Sequence, residues 1–463
     1  MAITAGIMVP HPPLIIPEVG RGEERTIAIT AAAYREAASF VAASAPETIV
    51  VVTPHSTVYG DYFHISPGLR AGGGFARFGA PQVSLSVDYD TEFVRALKAL
   101  AADGGLPAGT LGERDRELDH ATLVPLRFLA EAAGGIKAKV VRTALSGLSF
   151  AEHYRFGMLI KETAERLGRR TAVIASGDLS HRLKEDGPYG FSPEGPRYDE
   201  HIMEVMGRGA FDELFGFPER LCESAGECGH RAFVIMAGAF DGTAVEARRL
   251  SYEGPFGVGY GVCIFRAKGP DDKRRFLAEF AAKESARLAA LKEKEDAYVR
   301  LAREAVERYV AEGEKLAVPA GLPEEMLSRR AGTFVSLKKD GRLRGCIGTI
   351  APAASSVAQE IINNAVSAAA NDPRFDPVEK EELARIVYSV DVLGETERID
   401  SPEKLDVKRY GVIVTKGRRR GLLLPNLEGV DSVEEQIAIA KEKAGIGKDE
   451  CVALERFEVS RHH

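Results

Sequence analysis

Short apolar runs alternate with longer amphipathic stretches through about residue 268, and this order sets the first limit on the fold. Residues 3–9, 48–53, 82–87, 138–144, 171–175 and 257–265 read as strands. Between them, residues 30–43, 91–102 and 153–167 repeat apolar side chains at spacings of three and four, the helical period. Strands separated by helices pair at least partly in parallel, because the helix carries the chain back along the sheet. The pattern predicts an α/β domain, with α/β/α layers around a mixed, partly parallel sheet. In such folds functional groups collect on loops at the strand ends.

Residues 266–316 change in character. Gly269-Pro270-Asp271-Asp272 interrupts the pattern, and the residues that follow are rich in Ala, Glu, Lys, Arg and Leu. They read as one long helix or two. The expected organisation is a first domain at 1–268, a helical linker at 269–295 and a second domain at 296–463. In the second domain residues 332–338, 386–393 and 411–415 are strand-like, whereas 357–370 and 433–444 are helix-like. That is an α+β pattern.

The net charge of −7 argues against nucleic acid as the main partner, since a binding face needs a basic excess to displace counterions. Lys416-Gly417-Arg418-Arg419-Arg420 is a local basic run that reads either as a patch or as a solvated turn. The five cysteines are dispersed and contain no CxxC pair, which fits a reducing compartment. The first 18 residues lack a basic n-region and contain four prolines, so they read as a strand entering a loop rather than a signal peptide. Apolar runs of about 18 residues are absent, so no membrane span is expected and the cytoplasm is the default.

Histidine placement carries the chemistry. His11 follows the first predicted strand in Val9-Pro10-His11-Pro12-Pro13, and His55 follows the second in Thr53-Pro54-His55-Ser56. Each proline stops a strand and fixes the corner on which an imidazole sits. The pair reads as two metal ligands on neighbouring strand ends, or as two unrelated loop histidines. His120 stands at the mouth of a predicted helix in Leu118-Asp119-His120, and His181 follows the strand at 171–175 in Ser176-Gly177-Asp178-Leu179-Ser180-His181. Asp178 reads as a carboxylate holding a neighbouring imidazole, or as a turn cap. Glu227-Cys228 precedes a helix, whose positive end favours the charged form of either side chain. Two histidines and a carboxylate with open positions suit non-haem iron(II), while zinc with an activated water is the competing metal.

The segments PHPP, TPHS, LDHATLVPL and SGDLSH, in that order, resemble the class III extradiol ring-cleavage dioxygenases, the LigB-like proteins. They are also similar to the Memo proteins, which share that fold. The resemblance covers about residues 1–268. It implies iron(II) ligands at His11 and His55, an acid/base histidine at His181 and a substrate-pocket histidine at His120. The third ligand falls on Glu227 by the dioxygenase pattern and on Cys228 by the Memo pattern. A catechol- or aminophenol-type aromatic and dioxygen are the implied substrates. The alternative is a Memo-like metal- or redox-handling scaffold without ring cleavage. In the second domain Arg344-Gly345-Cys346-Ile347-Gly348 reads as an anion pocket with a thiol, or as a cysteine packed between glycine turns. Together with Asp372-Pro373-Arg374-Phe375 it resembles the AMMECR family, from about residue 296 to the end. The two resemblances together imply a radical-SAM protein as partner.

Overall fold

Six strands form the main sheet: β1 (Ile3–Val9), β2 (Thr48–Thr53), β3 (Lys139–Ala144), β4 (Thr171–Ser176), β5 (Thr243–Glu253) and β6 (Tyr260–Pro270). Their order is β3-β2-β4-β1-β6-β5. The first four are parallel, and β6 and β5 add an antiparallel edge. Every residue of β2 and β4 is buried, because helices cover both faces of the sheet. Alternate side chains divide between the two faces. Val50, Val52, Val173 and Ala175 pack with Phe156, Ile160 and Phe233 from the helices Phe150–Arg166 and His230–Gly238. Ile49, Val51, Ala172 and Ile174 pack with Tyr34, Val41 and Phe128 from the helices Ala28–Ala43 and His120–Ala133. The α/β/α layering is the one that the spacing predicts.

Two elements depart from expectation. Residues 82–87 do form a strand, Ala80–Asp88, but it pairs with Arg70–Phe75 in a separate hairpin. The edge strand β5 escapes the sequence reading because its alternation is blurred by Glu246, Arg248 and Arg249. The computed structural model describes residues 1–427 and 429–463, and divides into units Met1–Ala282 and Lys283–His463. The division falls inside the helix Phe276–Glu293, which is followed by a second helix, Ala297–Glu312.

The second unit is α+β. One antiparallel sheet joins Arg342–Gly348, Thr333–Lys339, Ile386–Leu393 and Val459–His462, and is covered by Val357–Ala370. Another joins Glu397–Ile399, Ala453–Phe457, Gly411–Lys416 and Arg419–Leu423. The basic run lies on a hairpin of that sheet. Lys416 and Arg419 pair with Glu450, and Arg420 with Glu455, as in a solvated turn. Among the described residues, no helix is long and apolar enough to cross a membrane.

Candidate metal centre

β4 lies between β1 and β2, with all three parallel, so their carboxyl ends open on one edge of the sheet. Val9 is level with Ser176, and Val52 with Ala175. The turns that follow therefore hold His11, His55 and the segment 177–181 side by side. His120 arrives from another direction. It opens the helix His120–Ala133, whose N-cap Asp119 accepts from the Thr122 amide. Cys228 stands at a corner ahead of the helix His230–Gly238. That corner approaches β4 through two glycines: a Cβ on Gly177 would lie 2.1 Å from the Gly229 Cα. The close backbone contact seats Cys228 against Asp178, whose amide donates to Sγ at 3.3 Å.

The side chains converge. His55 Nε2 lies 3.1 Å from His11 Nε2, and one ring nitrogen from each of His11, His55 and His120 falls within 4.8 Å of the others. The His55 and His120 rings stack with centroids 4.5 Å apart. Cys228 Sγ is 3.7 Å from His11 Nε2. His11 Nδ1 sits 3.0 Å from Ser176 Oγ, which leaves Nε2 facing the cluster. His11 is buried and His120 half-buried, while His55 is exposed and leaves the cluster open on its side.

Electrostatics favour neutral imidazoles. Desolvation holds His11 well below the usual histidine range, reinforced by His55 and His120. Desolvation also lowers His55 and His120. Each ring then presents a lone pair, as metal ligation requires. Burial, with Asp178 and Glu227 nearby, pushes the Cys228 thiol well up, so a thiolate there needs a cation beside it. Three neutral imidazoles about one point, with a thiol 3.7 Å from the His11 Nε2, fit a borderline divalent ion. His181 stands beside the cluster, with its buried Nε2 lacking a hydrogen-bond partner among the described residues. Its ring stacks on Tyr189 at 5.1 Å.

Several candidate residues make contacts other than the ones first expected of them. Asp178 does not hold the His11 ring within hydrogen-bond distance: its Oδ1 accepts from the His11 backbone N–H at 2.8 Å, and Oδ2 is 3.8 Å from Nε2. Ser176 takes the ring-holding place. Glu227 is not in the cluster, because its carboxylate accepts from the His230 amide at 2.6 Å and caps the helix. Burial raises that carboxyl to about 7. Of the two adjacent candidates, Cys228 is the one that reaches the His11 ring. In the second unit Arg344 does not serve Cys346, because Glu382 takes its guanidinium at 2.8 Å and 3.0 Å. Around Cys346 are instead the Ser336 hydroxyl, 3.2 Å from Sγ, and the Asp372 carboxylate, 2.9 Å from the amide. Arg374 donates to the Cys346 carbonyl at 3.1 Å. A ring nitrogen of His120 lies within 4.8 Å of those of His11 and His55, a proximity that no spacing in the sequence signals.

The chain belongs to the LigB family: residues 5–263 match the family described as the catalytic LigB subunit of aromatic ring-opening dioxygenase. Residues 299–462 match AMMECR1, so the chain is a fusion of the two. A Clostridium acetobutylicum protein is 42% identical over 470 residues, covering 100% of this chain and 99% of its own. A Thermotoga maritima protein is 52% identical over 170 residues, covering 36% of this chain and 98% of its own. Among solved structures, an uncharacterized Pyrococcus horikoshii protein is 35% identical, with a TM-score of 0.34, over 37% of this chain and 91% of that one. An uncharacterized Escherichia coli K12 protein is 13% identical, with a TM-score of 0.37, over 57% of this chain and 99% of that one.

Proposed function

We propose that the first unit is an extradiol-type dioxygenase that uses iron(II) to open a catechol- or aminophenol-type aromatic with dioxygen. The observation that supports it is the approach of one ring nitrogen each of His11, His55 and His120 to within 4.8 Å of one another, beside the Nε2 of His181, which has no hydrogen-bond partner among the described residues. His11, His55, His120 and Cys228 are the residues that would hold the metal, with zinc as the alternative ion. When bound, iron(II) supplies a Lewis-acidic redox centre at which an aromatic diol and dioxygen meet. His181 is the proton carrier: desolvation lowers its pKa, so at neutral pH its free nitrogen accepts a substrate proton and later returns it. Asp178 fixes the His11 corner through the backbone, and Ser176 aims the ring.

Anaerobic purification, metal analysis and dioxygen uptake with catechols test the reading. His11→Ala is expected to lose the metal. His181→Ala is expected to keep it and to slow turnover by about 10² to 10⁴. Zinc occupancy without dioxygen uptake would replace the reading with hydrolysis. Cys228 beside the His11 ring is the observation behind a second reading, a metal- or redox-handling scaffold; iron binding without consumption of any diol or aminophenol would select it. The AMMECR1 part is proposed to serve a radical-SAM partner in the cytoplasm, and co-purification of such a protein with the full chain tests that.

A further inference from the structure

Arg142, on β3, is among the largest fully buried side chains of the described residues, at 1% exposed. A buried guanidinium gives up its hydration, and a well-packed apolar residue often serves stability as well or better. Its partners show what the charge does instead. Nε donates to Ser66 Oγ at 2.7 Å, Nη2 to the Asp115 carbonyl at 2.9 Å, and Nη1 to the Glu117 carbonyl. Nη1 is 3.6 Å from Asp119 Oδ2, and Nη2 is 3.7 Å from Glu113 Oε1. One planar fork thus joins two separate segments: 54–66, which begins with the His55 corner, and 113–119, which ends at His120.

The segments are tied again at the cluster itself. The Thr53 hydroxyl donates to Asp119 Oδ1 at 2.7 Å and accepts from the His55 amide at 3.1 Å. Further out, Thr57 Oγ1 donates to Glu113 Oε1 at 3.4 Å and accepts from the Arg114 amide at 3.2 Å. A continuous path runs from the guanidinium through Asp119 and Thr53 to the His55 backbone. The same Asp119 caps the helix that His120 opens.

We propose that Arg142 is a positioning residue for the metal centre: it locks the His55 and His120 turns in register, so that both imidazoles reach the point that His11 faces. The inference rests on the metal-site reading above. Arginine suits the task because its fixed fork of donors binds several oxygens in one plane, which a flexible ammonium does not.

Cobalt(II) titration of the metal-free, full-length chain tests it, with the visible ligand-field bands reporting the donor set. Arg142→Met and Thr53→Val are expected to weaken cobalt binding by about 10- to 100-fold, the usual effect of losing groups that orient ligands. Their bands are expected to shift toward those of His120→Ala. Wild-type bands and affinity in the folded variants would overturn the proposal. Weaker binding with unchanged bands would overturn it as well, since that is a loss of stability without a change of ligands. If Arg142→Met does not fold, Thr53→Val decides, because it leaves the guanidinium and its carboxylates in place. If the wild-type chain takes up no cobalt, the metal-site reading fails and this inference with it. Uptake by the wild type that is lost in His11→Ala keeps that reading standing whatever the two variants do.

Discussion

The two Nε2 atoms of His11 and His55, 3.1 Å apart, cannot both present lone pairs to each other without a shared proton or a cation. Cys228 adds the softest donor, and its thiol is held protonated by burial until a cation arrives. Cys228→Ser is expected to weaken zinc or iron(II) binding by about tenfold or more, read by competition with a chromogenic chelator. In the second unit, Glu382 gives a pH-dependent test. Burial alone would raise its carboxyl, but bonds from Arg344 and Lys339 outweigh burial and hold it at about 2. A carboxyl lowered on folding stabilises above its unfolded pKa, near 4.5, and that stability is lost as pH falls toward 2. Glu382→Gln is therefore expected to cost about 1 kcal/mol at pH 7 after screening, with the difference vanishing near pH 2. Urea titrations at several pH values check the sign.

Elements contribute position. Parallel pairing of β1, β4 and β2 puts three chain corners on one edge, while the helix that His120 opens and the Cys228 corner close on it from outside the strands. The Gly177–Gly229 contact is where one of these approaches is tightest. In Gly177→Ala the new Cβ has no room against the Gly229 backbone, so the Cys228 corner must retreat. The variant is expected to lose about 1–3 kcal/mol of stability, the usual cost of overpacking, and to bind metal more weakly. A urea midpoint and a metal titration on the same protein measure both.

Across the whole chain, each unit has its own hydrophobic clusters. Two calorimetric transitions are expected rather than one. Metal at about 100 times its dissociation constant should stabilise the first unit by about 2.7 kcal/mol and leave the other transition in place. His11→Ala should abolish that shift. A single transition that moves as a whole on metal addition would show that the units unfold together.

The sequence alone determined the strands and helices that carry local periodicity: Ile386–Leu393 and Val357–Ala370 fall where their spacing puts them. It also marked His11 and His55, because a proline after an apolar run is a local signal for a corner. Tertiary packing decided the rest. Whether Glu227 or Cys228 meets the His11 ring depends on which way one corner turns, and that corner is held by a contact between Gly177 and Gly229, 52 residues apart in number but touching in space. Ser176 in place of Asp178 on the His11 ring, His120 within reach of His55, and Glu382 rather than Cys346 beside Arg344 are likewise long-range choices. Periodicity reports only which face of an element is buried; the partner that a side chain finds depends on how the elements pack.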